Sequence, residues 1–208
     1  MVNAIGYLSY SHQAVTHLTG TTTFLGVALV QRDLALAVHL GAVLLAFFVG
    51  AILSGFIIRR QTLKLGRRYG VALALEGLLL ALAALFMHEK LPAGAYLASA
   101  ACGLQNAMAT TYSGAILRTT HLTGIVTDLG SALGHALRGL PVNLLRLRLY
   151  ALVLLAFFLG GILGALVFSV TGTDALFYPA ALVFVVALAY TAYAHHTRAA
   201  ATGRDGRA

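Results

Sequence analysis

Residues 34–58 read LALAVHLGAVLLAFFVGAILSGFII, with His39 and Ser54 as the only polar side chains, and Arg59-Arg60 follow at once. A helix rises about 1.5 Å per residue and a bilayer's hydrocarbon core is about 30 Å thick, so about 20 such residues suffice to cross it. Three further runs have the same character. Residues 69–87 are apolar apart from Glu76 and end at His88-Glu89-Lys90-Leu91-Pro92. Residues 150–170 follow Arg146 and Arg148, and residues 175–194 end at His195-His196. Across the chain 60% of residues are hydrophobic and 10% are charged, against about 25% charged in a soluble domain. A soluble domain could not cover its surface with so few polar groups. The chain is therefore read as an all-α polytopic membrane protein whose first partner is the lipid bilayer.

Two segments resist simple placement. Residues 1–31 and 93–137 are apolar but dotted with Gly, Thr, Ser, Asn, Gln and His. Backbone at membrane depth leaves the helix only where protein or a wet cavity satisfies it, so a broken helix is expected in each. Charge placement decides the count. With one net crossing per difficult segment and the N-terminus inside, residues 59–68 hold five Lys or Arg on the inner side. Arg138, Arg146, Arg148 and the C-terminal Arg198, Arg204 and Arg207 fall on that side too, and only Arg32 and Lys90 fall outside. This positive-inside pattern predicts six transmembrane helices with both termini cytoplasmic.

The net charge of +8 is explained by those loops, and no nucleic-acid partner is expected. One cysteine, Cys102, cannot form an intrachain disulfide. No CxxC, HExxH, GxGxxG or Walker loop is present, and no metal site and no cofactor are expected. No basic n-region with a cleavage site opens the chain, so insertion is expected to use the first hydrophobic spans.

Self-similarity is the most informative feature. Residues 17–29 read HLTGTTTFLGVAL and residues 121–133 read HLTGIVTDLGSAL, identical at nine of thirteen positions and each preceded by Thr, Thr16 and Thr120. LLAFFVGAILSG at 44–55 answers LLAFFLGGILGA at 154–165, and Asn3-Ala4 answers Asn106-Ala107 at nearly the same offset. Polar identities are not forced by hydrophobicity, so the shared HLTG carries more weight than the shared AFF. The reading that follows is two inverted three-helix repeats with broken first helices. They comprise 1–91, with a short first helix, and 92–196, followed by a disordered basic cytoplasmic tail at 197–208. Oppositely oriented repeats are a recurrent plan for secondary transporters, with the site where the repeats meet.

The candidate site residues come from these breaks and from polar groups at membrane depth. His17, Thr19 and Gly20 in the first segment correspond to His121, Thr123 and Gly124 in the second. The glycines permit departure from helical geometry or close packing, and the threonines offer hydroxyls to a ligand or to backbone carbonyls. Thr and Gly also serve plain helix packing in membranes. Asn3, Gln105 and Asn106 are amides inside apolar runs. Asp128, where the first copy has Phe24, is the leading group for proton coupling or cation contact, because a charge at that depth is costly unless neutral, paired or wet. Arg118 is the cation expected to pair there, and Glu76 is expected to face the bundle interior. His12 has no counterpart in the second copy.

These residues also carry a resemblance. Asn3 through Leu8, His17-Leu18-Thr19-Gly20, Phe24-Leu25-Gly26, Gly103 through Ala107, Arg118 through Gly124 and Thr127 through Gly130 resemble the DUF1275, or YoaK-like, family of small bacterial membrane proteins. The resemblance covers nearly the whole chain. It implies a six-helix protein of the bacterial inner membrane and no settled substrate. Relatives usually carry Asp at the position of Asn3 and commonly Asn at that of Thr21, so the first half is expected to bind differently from theirs.

The function expected is a secondary transporter or permease for a small polar solute held between the two THLTG segments, with Asp128, alongside Glu76 or His121, as the group that would couple protons if coupling exists. The competing readings are a membrane enzyme using Asp128 and His121 as acid and base, and a non-transporting scaffold or signalling subunit. Aromatic and small-residue faces are compatible with a homodimer, and nothing in the sequence demands one.

Overall fold

The computed structural model describes residues 1–9, 15–58, 67–113 and 119–205, with side chains for all of these but 67 and 195–205. The elements are α1 (Val2–Leu8), α2 (Leu18–Val30), α3 (Leu34–Ile57), α4 (Arg67–His88), α5 (Ala93–Tyr112), α6 (Leu122–Leu137), α7 (Leu144–Thr171), a 3-10 turn (Gly172–Leu176) and α8 (Phe177–Asp205).

Local chemistry sets the ends of these helices. The Leu36 N–H donates to Asp33 Oδ1 at 3.0 Å at the start of α3, and the Arg146 N–H donates to Asn143 Oδ1 at 3.0 Å at the start of α7. Short acidic or amide side chains suit this capping position, where first-turn N–H groups lack a helical partner. Pro92 leads into α5, and Gly172, at φ 60°, separates α7 from the 3-10 turn in a left-handed conformation that glycine adopts without strain.

Helices α3 and α5 form the centre. The pairs His39–Tyr96, Val43–Ser99 and Phe47–Gly103 advance together along both, so the two helices run in the same direction. They meet through glycine. A Cβ on Gly50 would fall on the Ala100 carbonyl, and one on Gly103 would fall on the Phe47 carbonyl. Small residues let backbones approach this closely, and dispersion and weak polar contacts then hold them in lipid, where there is little hydrophobic gain from helix association. The Ser99 hydroxyl, fully buried, lies 2.9 Å from the Val43 carbonyl and 3.1 Å from that of Val15, fastening the chain before α2 to the same centre. Helix α4 packs on α5 and α8, α2 on α3, and α1 on α7, while α6 touches α7 along a short seam. Outward-facing apolar side chains are exposed in number, Val30, Phe56, Leu137 and Val170 each by more than 80%. In a protein of this composition they face lipid rather than water.

Six transmembrane helices in two inverted three-helix repeats is not the architecture found. Three helical stretches among the described residues are long and apolar enough to cross a membrane: Leu34–Ile57, Arg68–His88 and the 51-residue Leu144–Ala194. Two fall in residues 1–91 and one in 92–196, an unequal division that two matched three-span halves do not allow. The difference has a physical origin. Helix α2 is apolar but has only 13 residues, and α1 has seven. Helix α5 has 20, but Gly, Ser, Gln, Asn and Thr dilute its apolar character. Residues 150–170 and 175–194, read as separate spans, belong to one apolar stretch interrupted at Gly172. What recurs between the halves is local: the capped starts of α3 and α7 and the two helix breaks described below.

The glycine contacts predict a sharp contrast. Gly50→Val should lower stability by about 1–3 kcal/mol, the usual cost of overpacking. Gly41→Ala, on the same helix with open space around it, should leave stability within about 1 kcal/mol. Thermal unfolding of the two variants in detergent measures the difference.

Candidate functional site

Each HLTG segment follows a break in helical structure, and an asparagine closes each break. In the first, the Thr16 N–H donates to Asn3 Oδ1 at 3.0 Å, and Asn3 Nδ2 donates to Thr16 Oγ1. In the second, Asn106 Nδ2 donates to Thr120 Oγ1, and the Thr119 hydroxyl donates to Asn106 Oδ1 at 2.8 Å. One amide offers a donor and an acceptor together, which is what a segment leaving the helix needs in an apolar setting, where each unpaired polar group is costly. The two breaks also share backbone geometry. His17 precedes α2 at φ −85° and ψ 59°, and His121 precedes α6 at φ −89° and ψ 59°. Among the described residues, neither helix start receives a side-chain capping hydrogen bond.

The two breaks converge on one cavity of about 630 Å³. Thr16, His17, Leu18, Thr19 and Gly20 line one side, and Thr120, His121, Leu122 and Thr123 line the other. Helix α5 supplies Gly103, Asn106, Ala107, Thr110 and Thr111, and α3 supplies Phe47 and Ala51. Among the described lining residues there is no Asp, Glu, Lys or Arg. The Thr110 and Thr111 hydroxyls donate to the carbonyls of Asn106 and Ala107 one turn earlier, at 2.7 and 2.8 Å, keeping their remaining lone pairs as acceptors. Thr19 and Thr123, equivalent in the two segments, are exposed toward this space.

Of the residues singled out in the sequence, His17, Thr19, Gly20, Asn106, His121 and Thr123 line this cavity. Asn3 stands behind it, holding Thr16. Gly124 lies under the His121 ring, where a Cβ would strike the imidazole, whereas Gly20 has open space at the equivalent position. Gln105 does not line the cavity. Glu76 lies in α4, 2% exposed, and its Oε2 has no hydrogen-bond partner among the described residues. Arg118 and His12 lie outside the described residues.

Asp128 is elsewhere. It lines a second, smaller cavity between α6 and α7 and pairs with Arg146 at 3.4 Å, both side chains about half exposed. Arg146 Nε also donates to the Tyr150 hydroxyl at 2.8 Å, and its guanidinium lies 5.2 Å from the Tyr150 ring centre. His121 and Asp128 thus face different cavities and do not form a pair. Sequence reasoning missed Thr110, Thr111, Phe47 and Ala51. A Thr-Thr pair one turn beyond Asn106 inside an apolar run was the available signal for the first two. Phe47 and Ala51 carried none, because their place follows from the α3–α5 approach.

The closures make a graded prediction. Asn3→Ala and Asn106→Ala should each cost about 1–3 kcal/mol by stranding part-buried partners. Asn3→Asp should be nearly neutral, because the Thr16 N–H and hydroxyl can both donate to a carboxylate. Unfolding midpoints of the three variants in detergent check this order.

The family model for DUF1275, described as a protein of unknown function, matches residues 1–189. Neither the curated proteins nor the solved structures contain a match to this chain. With nearly its whole length covered by that family model, and its long apolar helices and outward apolar surface as described, the chain is a multi-pass all-α membrane protein of the DUF1275 family.

Proposed function

We propose that this protein is a permease for a small polar solute, bound in the cavity where the two THLTG segments meet. The observation that supports this reading is the cavity itself, about 630 Å³ in a chain that is otherwise apolar and lined by Thr hydroxyls, the Asn106 amide and two imidazoles. Pockets of a few hundred Å³ with a small number of placed polar groups are the common form of small-molecule sites. Non-helical backbone at membrane depth is tolerated where it lines a wet cavity, and both breaks border this one. The first turns of α2 and α6, without side-chain caps, add N–H groups that favour a solute rich in hydrogen-bond acceptors. Absence of charged side chains from the described lining favours a solute recognised by hydrogen bonds over one recognised by an ion pair.

We assign proton coupling to Glu76 in preference to Asp128. Glu76 is buried in α4, which packs on α5, the helix that carries the cavity-lining Asn106. A carboxyl so placed in a membrane bundle is costly unless it serves function or finds a partner. Asp128 already has Arg146, near the exposed surface. An enzymatic role for an Asp128–His121 pair gains no support from a geometry in which the two face different cavities.

Uptake into proteoliposomes from a panel of small polar solutes, with and without a proton gradient, tests the reading. The wild-type protein should carry at least one solute. Ala107→Phe, which places a ring in the cavity, should reduce that flux at least tenfold in a protein that still elutes as a single folded species. Glu76→Gln should abolish the gradient dependence, and Asp128→Asn should preserve it. A folded Ala107→Phe protein with undiminished flux would sink the assignment of the site.

A further inference from the structure

The smaller cavity between α6 and α7, about 240 Å³, has a composition of its own. Arg146 is its fixed cation. Its guanidinium is held from two sides, by the Tyr150 hydroxyl at 2.8 Å and by Asp128 at 3.4 Å, and it rests over the Tyr150 ring. Those contacts engage two of the five N–H groups of a guanidinium. Among the described residues, the remaining donors have no hydrogen-bond partner. The contact with Asp128 is long and single, not the short two-pronged pair that would neutralise both groups. His135, Ser131 and Asn143 complete the polar lining.

The surroundings of this cavity are apolar and exposed. Leu133 and Leu137 on α6 are 61% and 81% exposed, and Leu144 and Leu145 at the start of α7 are 61% and 68% exposed. Helix α6 is two-faced. Val126, Leu133 and Leu137 follow one another along one side and are all exposed, while Asp128, Ser131 and His135 lie on the side that borders the cavity. From residue 122 to residue 150 the charged side chains are Arg138, Arg146 and Arg148 against Asp128 alone. A cavity that holds Arg146, in a segment with three arginines against one aspartate and beside the exposed Leu144 and Leu145 at the start of α7, matches a molecule with an anionic head and apolar tails.

We propose that the α6–α7 corner binds the phosphate headgroup of an anionic phospholipid, with Arg146 as the principal contact. The exposed leucines lie along the acyl chains, and Arg138 and Arg148 raise the local potential. Asp128 holds Arg146 in place and also opposes the incoming anion. Basic cavities between helices near a membrane surface are suited to such headgroups, each basic side chain being worth about 1 kcal/mol at an anionic surface. A phosphatidylcholine headgroup, which carries a compensating cation, gains less from the same cavity.

The test uses the purified full chain in detergent, titrated with phosphatidylglycerol or phosphatidylcholine, with bound lipid counted by native mass spectrometry. Phosphatidylglycerol should bind at least fivefold more tightly than phosphatidylcholine. Arg146→Gln should weaken phosphatidylglycerol binding about fivefold, the equivalent of one basic side chain at the surface, and Arg146→Lys should retain most of it. Asp128→Asn removes the opposing charge and should tighten binding. It also loses only an exposed ion pair, which contributes little to stability, so it reports on the site even where Arg146→Gln fails to fold. Equal affinity for the two lipids, unchanged binding in a monodisperse Arg146→Gln protein, or weaker binding in Asp128→Asn would overturn the proposal. Displacement of the lipid by millimolar inorganic phosphate would assign the cavity to a soluble anion and overturn it as well.

Discussion

A helix that stops inside an apolar medium leaves N–H and C=O groups with no water to receive them, and the rest of this structure is arranged around two such stops. Asn3 and Asn106 resolve them with the same chemistry. Each side-chain amide gives a donor and an acceptor to the threonines that lead into an HLTG segment. The nearly identical backbone angles at His17 and His121 are the outcome. With those positions fixed, α2 and α6 start at defined points and turn their first residues toward a common space. Replacing the amides would remove the reason for the chain to leave the helix there and still remain satisfied.

That space exists because α3 and α5 approach as closely as they do. Gly50 and Gly103 admit the carbonyls of the opposite helix, and no other residue could occupy either position without moving backbone. Gly103 serves twice, since it also borders the cavity three residues before Asn106. Packing and site are therefore one structural fact. The helix contact sets how far apart the walls stand, and the asparagine closures set which polar groups face the gap. The exterior has the complementary character, with bulky apolar side chains exposed toward lipid and the titratable Glu76 withdrawn into the α4–α5 region.

The sequence disclosed these features unevenly, for physical reasons. Residues 34–58 and 69–87 were legible as spans because hydrocarbon thickness demands a long uninterrupted apolar run, and α3 and α4 occupy nearly those residues. Asn3 and Asn106 stand at nearly the same offset from the Thr before each HLTG, 13 and 14 residues, although the pairing itself was not read, and the HLTG identity stood out because lipid does not select Thr or His. The count of spans and the inverted three-helix repeat were not correctly readable. Helix α5 turns its polar residues toward α3 and the cavity, so composition misrepresents its surroundings, and the apolar stretch Leu144–Ala194 hides its interruption in a single glycine. The partner of Asp128 was also out of reach. Arg146 lies 18 residues away on another helix, and which helices lie side by side is a tertiary fact that local spacing does not encode.

The permease reading requires that the space between the two HLTG segments be wet and open to solute, not a dry seam between helices. Cysteine labelling from water measures this directly. In a Cys102→Ala background, Thr123→Cys faces the cavity, and Val126→Cys, three residues along the same helix, is exposed on its apolar side. A wet space requires that a membrane-impermeant maleimide modify the first rapidly in intact membranes and leave the second essentially unmodified. Rapid modification of Val126→Cys with an inert Thr123→Cys would contradict it, placing water on the face assigned to lipid and excluding it from the proposed site.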